Sequence, residues 1–285
     1  MRSSIWTRSV VVWVSGLMLG GVSAATAAII HVDQSAVPGG DGPSWGTAFR
    51  HPQDGLDVAV AGDQIWVAAG TYLPSKETEP GNPRTVTFQL ISGMELYGAF
   101  PPGGGDGTFG ARDTTNPAHE TTLSGAIGVP WDPADNAYHV LIASGTDATA
   151  VLNGFTIAAG NANGTSPHDR GGGLYIDDGS PSMASCTFSE NSPTLGGGLY
   201  NTGSDPTVTN CTFSGNSAGD GGGIYNTDNS NPTVSNCTFT DSSVDGGNSG
   251  GGATARNGFG RSDQDRASCR AAGRCTSISY ETRDT

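Results

Sequence analysis

Few side chains in this sequence stand where they could act together, and those that do gather in one short stretch. His168, Asp169 and Arg170 are consecutive, and Asp177 and Asp178 follow within a strand's length. The carboxylates could serve as oxygen ligands for calcium, with Asp177 and Asp178 the candidate metal residues, while Arg170 could grip a sugar acid through its planar fork. A solvated polar loop has the same composition, and no motif fixes the geometry of these groups. Tyr175, Tyr200 and Tyr225 recur every 25 residues. Pointing outward, they would form an aromatic face able to stack on sugar rings. Tyrosine is also an ordinary choice for the solvent side of a strand.

Two other constellations invite a chemical reading. Cys186, Cys211 and Cys237 repeat in register. Neighbouring coils of a stacked sheet lie about 4.8 Å apart, a separation that just permits a disulfide. Three cysteines in line cannot all pair, however, and a buried ladder of thiols is the favoured reading. Cys269 and Cys275 stand apart and could pair with each other. The run Gly103, Gly104, Gly105, Asp106, Gly107 loosely echoes glycine–aspartate calcium repeats, but such sites need stacked copies and this one occurs once, so a loop is expected.

The elements that carry these residues are set by a repeat. GGGLY begins at Gly171 and again at Gly196, and GGGIY at Gly221, each 25 residues after the last. A proline follows in each (Pro181, Pro206, Pro232), then a Cys-Thr-Phe run ending at Phe188, Phe213 and Phe239. Such a period suits one coil of three short strands joined by turns, whereas helical repeats do not tolerate a triple glycine in every unit. The expected fold is therefore all-β: a right-handed parallel β-helix, a solenoid with about 25-residue coils. Alternation points Leu174, Leu199 and Ile224 inward, with Met183, Val208 and Val234 from a second strand and the Cys and Phe pairs from a third. Thr187, Thr212 and Thr238 then face out. Asn210 and Asn236 mark a tight corner that needs a left-handed backbone, and Gly154 fills that slot one coil earlier, with Leu152, Phe155 and Ile157 as its neighbours. The surplus residues of that coil must bulge within 161–170.

The remaining chain divides around the repeats. Residues 1–28 have the layout of a secretory signal peptide: Arg2 and Arg8, an apolar stretch over 10–22, then small residues at 23–28. Residues 29–150 read as an N-terminal cap and opening coils, with weak helical spacing over 52–60 and strands at 64–68, 85–90, 95–100 and 138–143. The regular repeats span 151–245. Residues 246–285 form an irregular tail in which the repeat grammar fades and arginine becomes frequent.

The glycine pair before an aliphatic residue, followed by Phe-x-x-Asn, resembles the repeats of the chlamydial polymorphic outer membrane proteins. Gly172, Gly173 and Leu174 carry the first half, as do Gly197, Gly198, Leu199 and Gly222, Gly223, Ile224. Phe188 with Asn191, and Phe213 with Asn216, carry the second; Ser242 replaces the asparagine in the third coil. The opening Ala61, Gly62, Asp63, Gln64, Ile65 and the later Gly70, Thr71, Tyr72 resemble the first coils of pectate-lyase-like β-helices, shared by enzymes and non-enzymes. The resemblance implies a secreted or cell-surface protein, often adhesive, without agreed catalytic residues.

Charge narrows the partners. Residues 29–245 hold 5 Lys+Arg against 23 Asp+Glu, a net of −18, which argues against nucleic acid and anionic membranes. No segment beyond the leader could cross a bilayer as a helix. The leading expectation is a structural or adhesin-like module presenting loops to glycans or cell-surface proteins, with calcium as a candidate ion and no other cofactor implied. The alternative is a polysaccharide lyase or glycoside hydrolase. A lyase acting on uronates needs convergent cations and a base, and between 113 and 245 the only Lys or Arg is Arg170, so the expectation leans away from an enzyme.

Overall fold

A computed structural model describes residues 27–130 and 132–244, with two further strands at 253–255 and 273–278; the proposed leader and most of the tail, Cys269 included, lie outside the described residues. The chain winds as a right-handed parallel β-helix whose coils, most of three strands each, stack around one apolar interior. β1 (Ile29–Val32) opens the stack, and α1 (Pro52–Val58) packs against it at the end of the helix, where a cap was expected. The second coil is β2 (Gln64–Ala68), β3 (Gly70–Tyr72) and β4 (Phe88–Gln89); the third is β5 (Glu95–Phe100), β6 (Thr121–Ser124) and β7 (Leu141–Ile142). The fourth is β8 (Val151–Asn153), β9 (Thr156–Ala158) and β10 (Leu174–Asp177), and the fifth β11 (Ser182–Ala184), β12 (Thr187–Ser189) and β13 (Leu199–Thr202). In the sixth, β14 (Thr207–Thr209) and β15 (Thr212–Ser214) precede the short β16 (Ser217–Ala218) and β17 (Ile224–Thr227). β18 (Thr233–Thr240) then runs through the corner, followed by β19 (Ser243–Val244). In the tail, β20 (Ala253–Ala255) continues the sheet beside β17 in parallel, and β21 (Gly273–Ile278) pairs antiparallel with β18.

The register expected from the repeat holds strand by strand. Leu174 lies against Leu199 and Leu199 against Ile224; Met183, Val208 and Val234 form the second ladder. Phe188, Phe213 and Phe239 stack with ring centroids 4.8 and 4.9 Å apart, and all three are buried. The three repeat cysteines are buried free thiols, and the central one, Cys211, is pushed well above the usual thiol range by the sulfurs on either side and by burial. All three sulfurs lie in the apolar interior and face one another, so this ladder is core.

The corner residue is left-handed in successive coils: Gly154 (φ 79°), Ser185 (53°), Asn210 (55°) and Asn236 (52°). Asparagine and glycine were expected there; Ser185 was not. Two expected strands come out shorter. In place of 85–90, a turn at Pro83–Thr85 precedes β4, because Pro83 lacks a donor and Arg84 is turned toward other loops. In place of 138–143 only β7 remains, with Tyr138 and His139 drawn into the site below.

The interior also holds a polar ladder. Asn191 and Asn216 are wholly buried one coil apart. Asn191 donates to Asn216 Oδ1 from both its backbone N (3.1 Å) and its Nδ2 (3.0 Å). Asn216 Nδ2 donates to the Phe188 carbonyl at 2.8 Å, and Asn191 Oδ1 accepts from Gly160 N at 2.9 Å. An amide carries donor and acceptor together, so copies one coil apart satisfy each other and the adjoining turns. Asn201 and Asn226 form a second pair, Nδ2 to Oδ1 at 3.1 Å.

Candidate functional site

The strands that stack above one another are nearly identical, so the distinctive surface arises where coils differ in length. The connections that lead into β4, β7 and β10 are long, spanning 73–87, 125–140 and 159–173, and the structure knits them together. Arg84 donates from Nε to the Asn136 carbonyl (2.7 Å) and from Nη2 to the Asn161 carbonyl (2.6 Å). Asn161 Nδ2 donates in turn to the Pro133 carbonyl at 2.6 Å. The Arg84 guanidinium also lies 4.1 Å from the Tyr138 ring centre, so one cation fixes three consecutive coils.

His168 sits on this platform. Its ring stacks on Tyr138, with centroids 4.7 Å apart and planes 14° off parallel. Its Nε2 lies 3.0 Å from Glu79 Oε1, and its Nδ1 lies 3.4 Å from His139 Nε2. His139 is buried, and its Nδ1 faces the Gly171 carbonyl at 3.1 Å, so Nδ1 donates and Nε2 accepts. Burial holds His139 itself down at about 4, and the bond to Gly171 only partly offsets this. The His168 contact in turn holds the Glu79 carboxyl below its ordinary range.

The other expected site residues extend this ribbon but differ in detail. Asp169 and Arg170 form an ion pair, Oδ1 to Nε 3.1 Å, not aligned as a hydrogen bond. Arg170 Nη1 reaches the Tyr200 hydroxyl at 3.3 Å, and its guanidinium lies 5.4 Å from that ring. His139 contacts Tyr175, and Tyr175, Tyr200 and Tyr225 follow in a stack with spacings of 5.6 and 5.5 Å. These rings do point away from the interior, but the expected exposed aromatic face is corrected: Tyr200 and Tyr225 are only 3% and 6% exposed. Tyr175 and Tyr200 have ring neighbours on both sides, and Tyr225 stacks on Tyr200 and is buried, so the row does not present open faces to a sugar. The partly exposed Tyr175 hydroxyl donates to Asp177 Oδ2 at 3.4 Å, and burial, followed by the Asp177 charge, pushes it up to about 12. Asp177 and Asp178 are both exposed at the end of β10. Among the described residues, no three His, Cys, Asp or Glu side chains gather as a metal site.

The glycine-rich loop serves packing. Gly104 lies against Trp45, where a Cβ would come within 2.1 Å of the indole, and Gly103 N donates to Asp33 Oδ2 at 2.8 Å. Asp106 caps its own turn through Thr108. Sequence reasoning missed Glu79, Arg84, Tyr138 and His139, which come to His168 from as far as 89 residues away.

Residues 135–260 match a family model described as a right-handed β-helix region, in keeping with the winding seen here. A solved structure of pectin methylesterase in complex with a hexasaccharide is among those similar to this chain, at 14% identity and a TM-score of 0.40 over 80% of this chain. The match covers 59% of that protein's length. No curated protein matches the chain. Among the described residues no helix is long and apolar enough to cross a membrane.

Proposed function

We propose that this chain is a secreted or cell-surface, adhesin-like β-helix module that works by contact, presenting the loop platform to glycans or cell-surface proteins. The observation that supports the reading is the binding of three successive insertions into one surface by Arg84, His168 and Asn161. A β-helix gains nothing in its core from such loops; fixed loops on a rigid rod make a preorganised contact surface. Calcium enters this proposal through Asp177 and Asp178, as an ion bridging exposed carboxylates to an acidic partner.

The charge pattern weighs against the rival reading, a lyase or hydrolase. All five Lys and Arg side chains of the acidic body are engaged: Arg50 with the Gln34 carbonyl, Lys76 with Asp57, Arg84 and Arg170 as above, and Arg112 with Gly98 and Asn153. No two of them converge on one spot, as neutralising a uronate at a reacting carbon would require. The test is binding of the full chain to glycan and cell-surface protein panels, with and without calcium at about millimolar levels. Saturable binding weakened by Tyr138→Ala supports the proposal. Turnover of pectin, polygalacturonate, alginate or neutral glycans, abolished by Arg170→Ala, overturns it.

A further inference from the structure

A second feature lies on another side of the coil, away from the platform. The connection from β5 to β6, residues 101–120, folds back over the corner between the first and second strands of each coil. Beneath it is a cleft of about 280 Å³. Its floor carries small left-handed residues, Ala99, Gly154 and Ser185, where the later coils have Asn210 and Asn236 at the corner. A Cβ at Gly154 would come within 2.7 Å of Arg112 Nη2.

The lining is polar and acidic. Asp113, His119 and Glu120 come from the covering loop, and Thr156 and Thr187 from the outward side of β9 and β12. Glu120 Oε1 accepts from Thr156 Oγ1 at 2.9 Å, which leaves Oε2 for a ligand. His119 Nδ1 is buried with no hydrogen-bond partner. No Lys or Arg lines the cleft, since Arg112 next to it is spent on the Gly98 carbonyl and on Asn153.

We propose that this cleft is a binding subsite for one neutral sugar ring of a glycan. Small-molecule pockets run from about 300 to 1,000 Å³, so this one holds a single ring rather than a chain. Carboxylate and hydroxyl oxygens pair with sugar hydroxyls, and His119 lines the cleft beside them. The two carboxylates repel a uronate, which sets the class of sugar apart from acidic polysaccharide. The inference does not depend on the platform.

The experiment titrates the full chain with galactose, glucose, mannose and N-acetylglucosamine, with galacturonate as the charged comparison, following the His119 imidazole nitrogens by NMR. At least one neutral sugar is expected to bind with Kd of about 1 mM and to move the His119 resonances. Thr187→Trp, which fills the cleft, should weaken binding at least tenfold. Thr212→Trp, on the same face one coil further, and Tyr138→Ala, on the platform, should leave it unchanged. No saturable neutral-sugar binding, preference for galacturonate, or binding indifferent to Thr187→Trp in a variant that melts like the parent overturns the proposal.

Discussion

Replacing Asn216 with alanine tests whether the buried amide ladder holds the coils together. The side chain accepts two hydrogen bonds from Asn191, at 3.1 and 3.0 Å, and donates one to the Phe188 carbonyl at 2.8 Å. Truncation leaves the Asn191 backbone N–H and one of its amide protons unpaired at a position with no solvent exposure. Each orphaned buried donor costs about 1–3 kcal/mol, so the loss should total about 4 kcal/mol. That is a large share of the roughly 5–15 kcal/mol by which domains are stable. The measurement is the urea midpoint of the full chain, with hydrogen exchange at the Asn191 amide as a local readout. Asn163→Ala, at an exposed loop position, serves as the reference. If Asn216→Ala costs no more than Asn163→Ala, or if the Asn191 amide stays as protected as before, the ladder is not what couples these coils.

Three further outcomes are expected. Phe213→Ala should cost about 3–5 kcal/mol, because the ring is buried between two others, while Thr212→Ala on the outward side should cost well under that; equal urea midpoints would refute the face assignment. Arg84→Ala removes the two bonds that join the loops at Asn136 and Asn161, so limited proteolysis should cut within 125–138 or 161–168 while the melting temperature of the coils barely moves; unchanged cleavage would mean the loops are held otherwise. Because His139 is held neutral at about 4 against an ordinary 6.5, its contribution is complete above pH 6.5 and is lost as pH falls toward 4, about 3 kcal/mol in all; His139→Gln should flatten that part of the stability–pH curve, and an unaltered slope would count against the buried neutral ring.

The residues that were legible in the sequence are those whose environment is copied. Cys211 and Phe213 sit between counterparts one coil before and after, so alternation plus a constant period places them without any knowledge of distant contacts. The same copying explains the misjudged tyrosines. Alternation fixes a direction, not exposure, and a side chain repeated about every 5 Å is shielded by its own copies. Asn201 and Asn226 could have been read: each follows its tyrosine, and alternation turns the residue after an outward tyrosine inward. Glu79, Arg84 and Tyr138 carried no such signal, because each occurs once, in a loop whose path the repeat does not dictate.

That contrast bears on where function can reside in this fold. A position repeated in every coil offers the same group along a line, which suits burial and cooperative stacking but cannot surround a ligand with different groups. Convergence of unlike groups needs coils of unequal length. In this chain the inequality is concentrated early: the connections into β4, β7 and β10 and the one from β5 to β6 are long, whereas those of the fifth and sixth coils run only over 190–198 and 215–223 before their third strands. Both the His168 platform and the His119 cleft are built from those early insertions, laid over ladders that the later coils extend. The regular repeats therefore act on the site through rigidity. Each added coil buries another Phe and another Cys against the last, and this stacking keeps the corner at Gly154 and Ser185 in the left-handed geometry that opens the cleft.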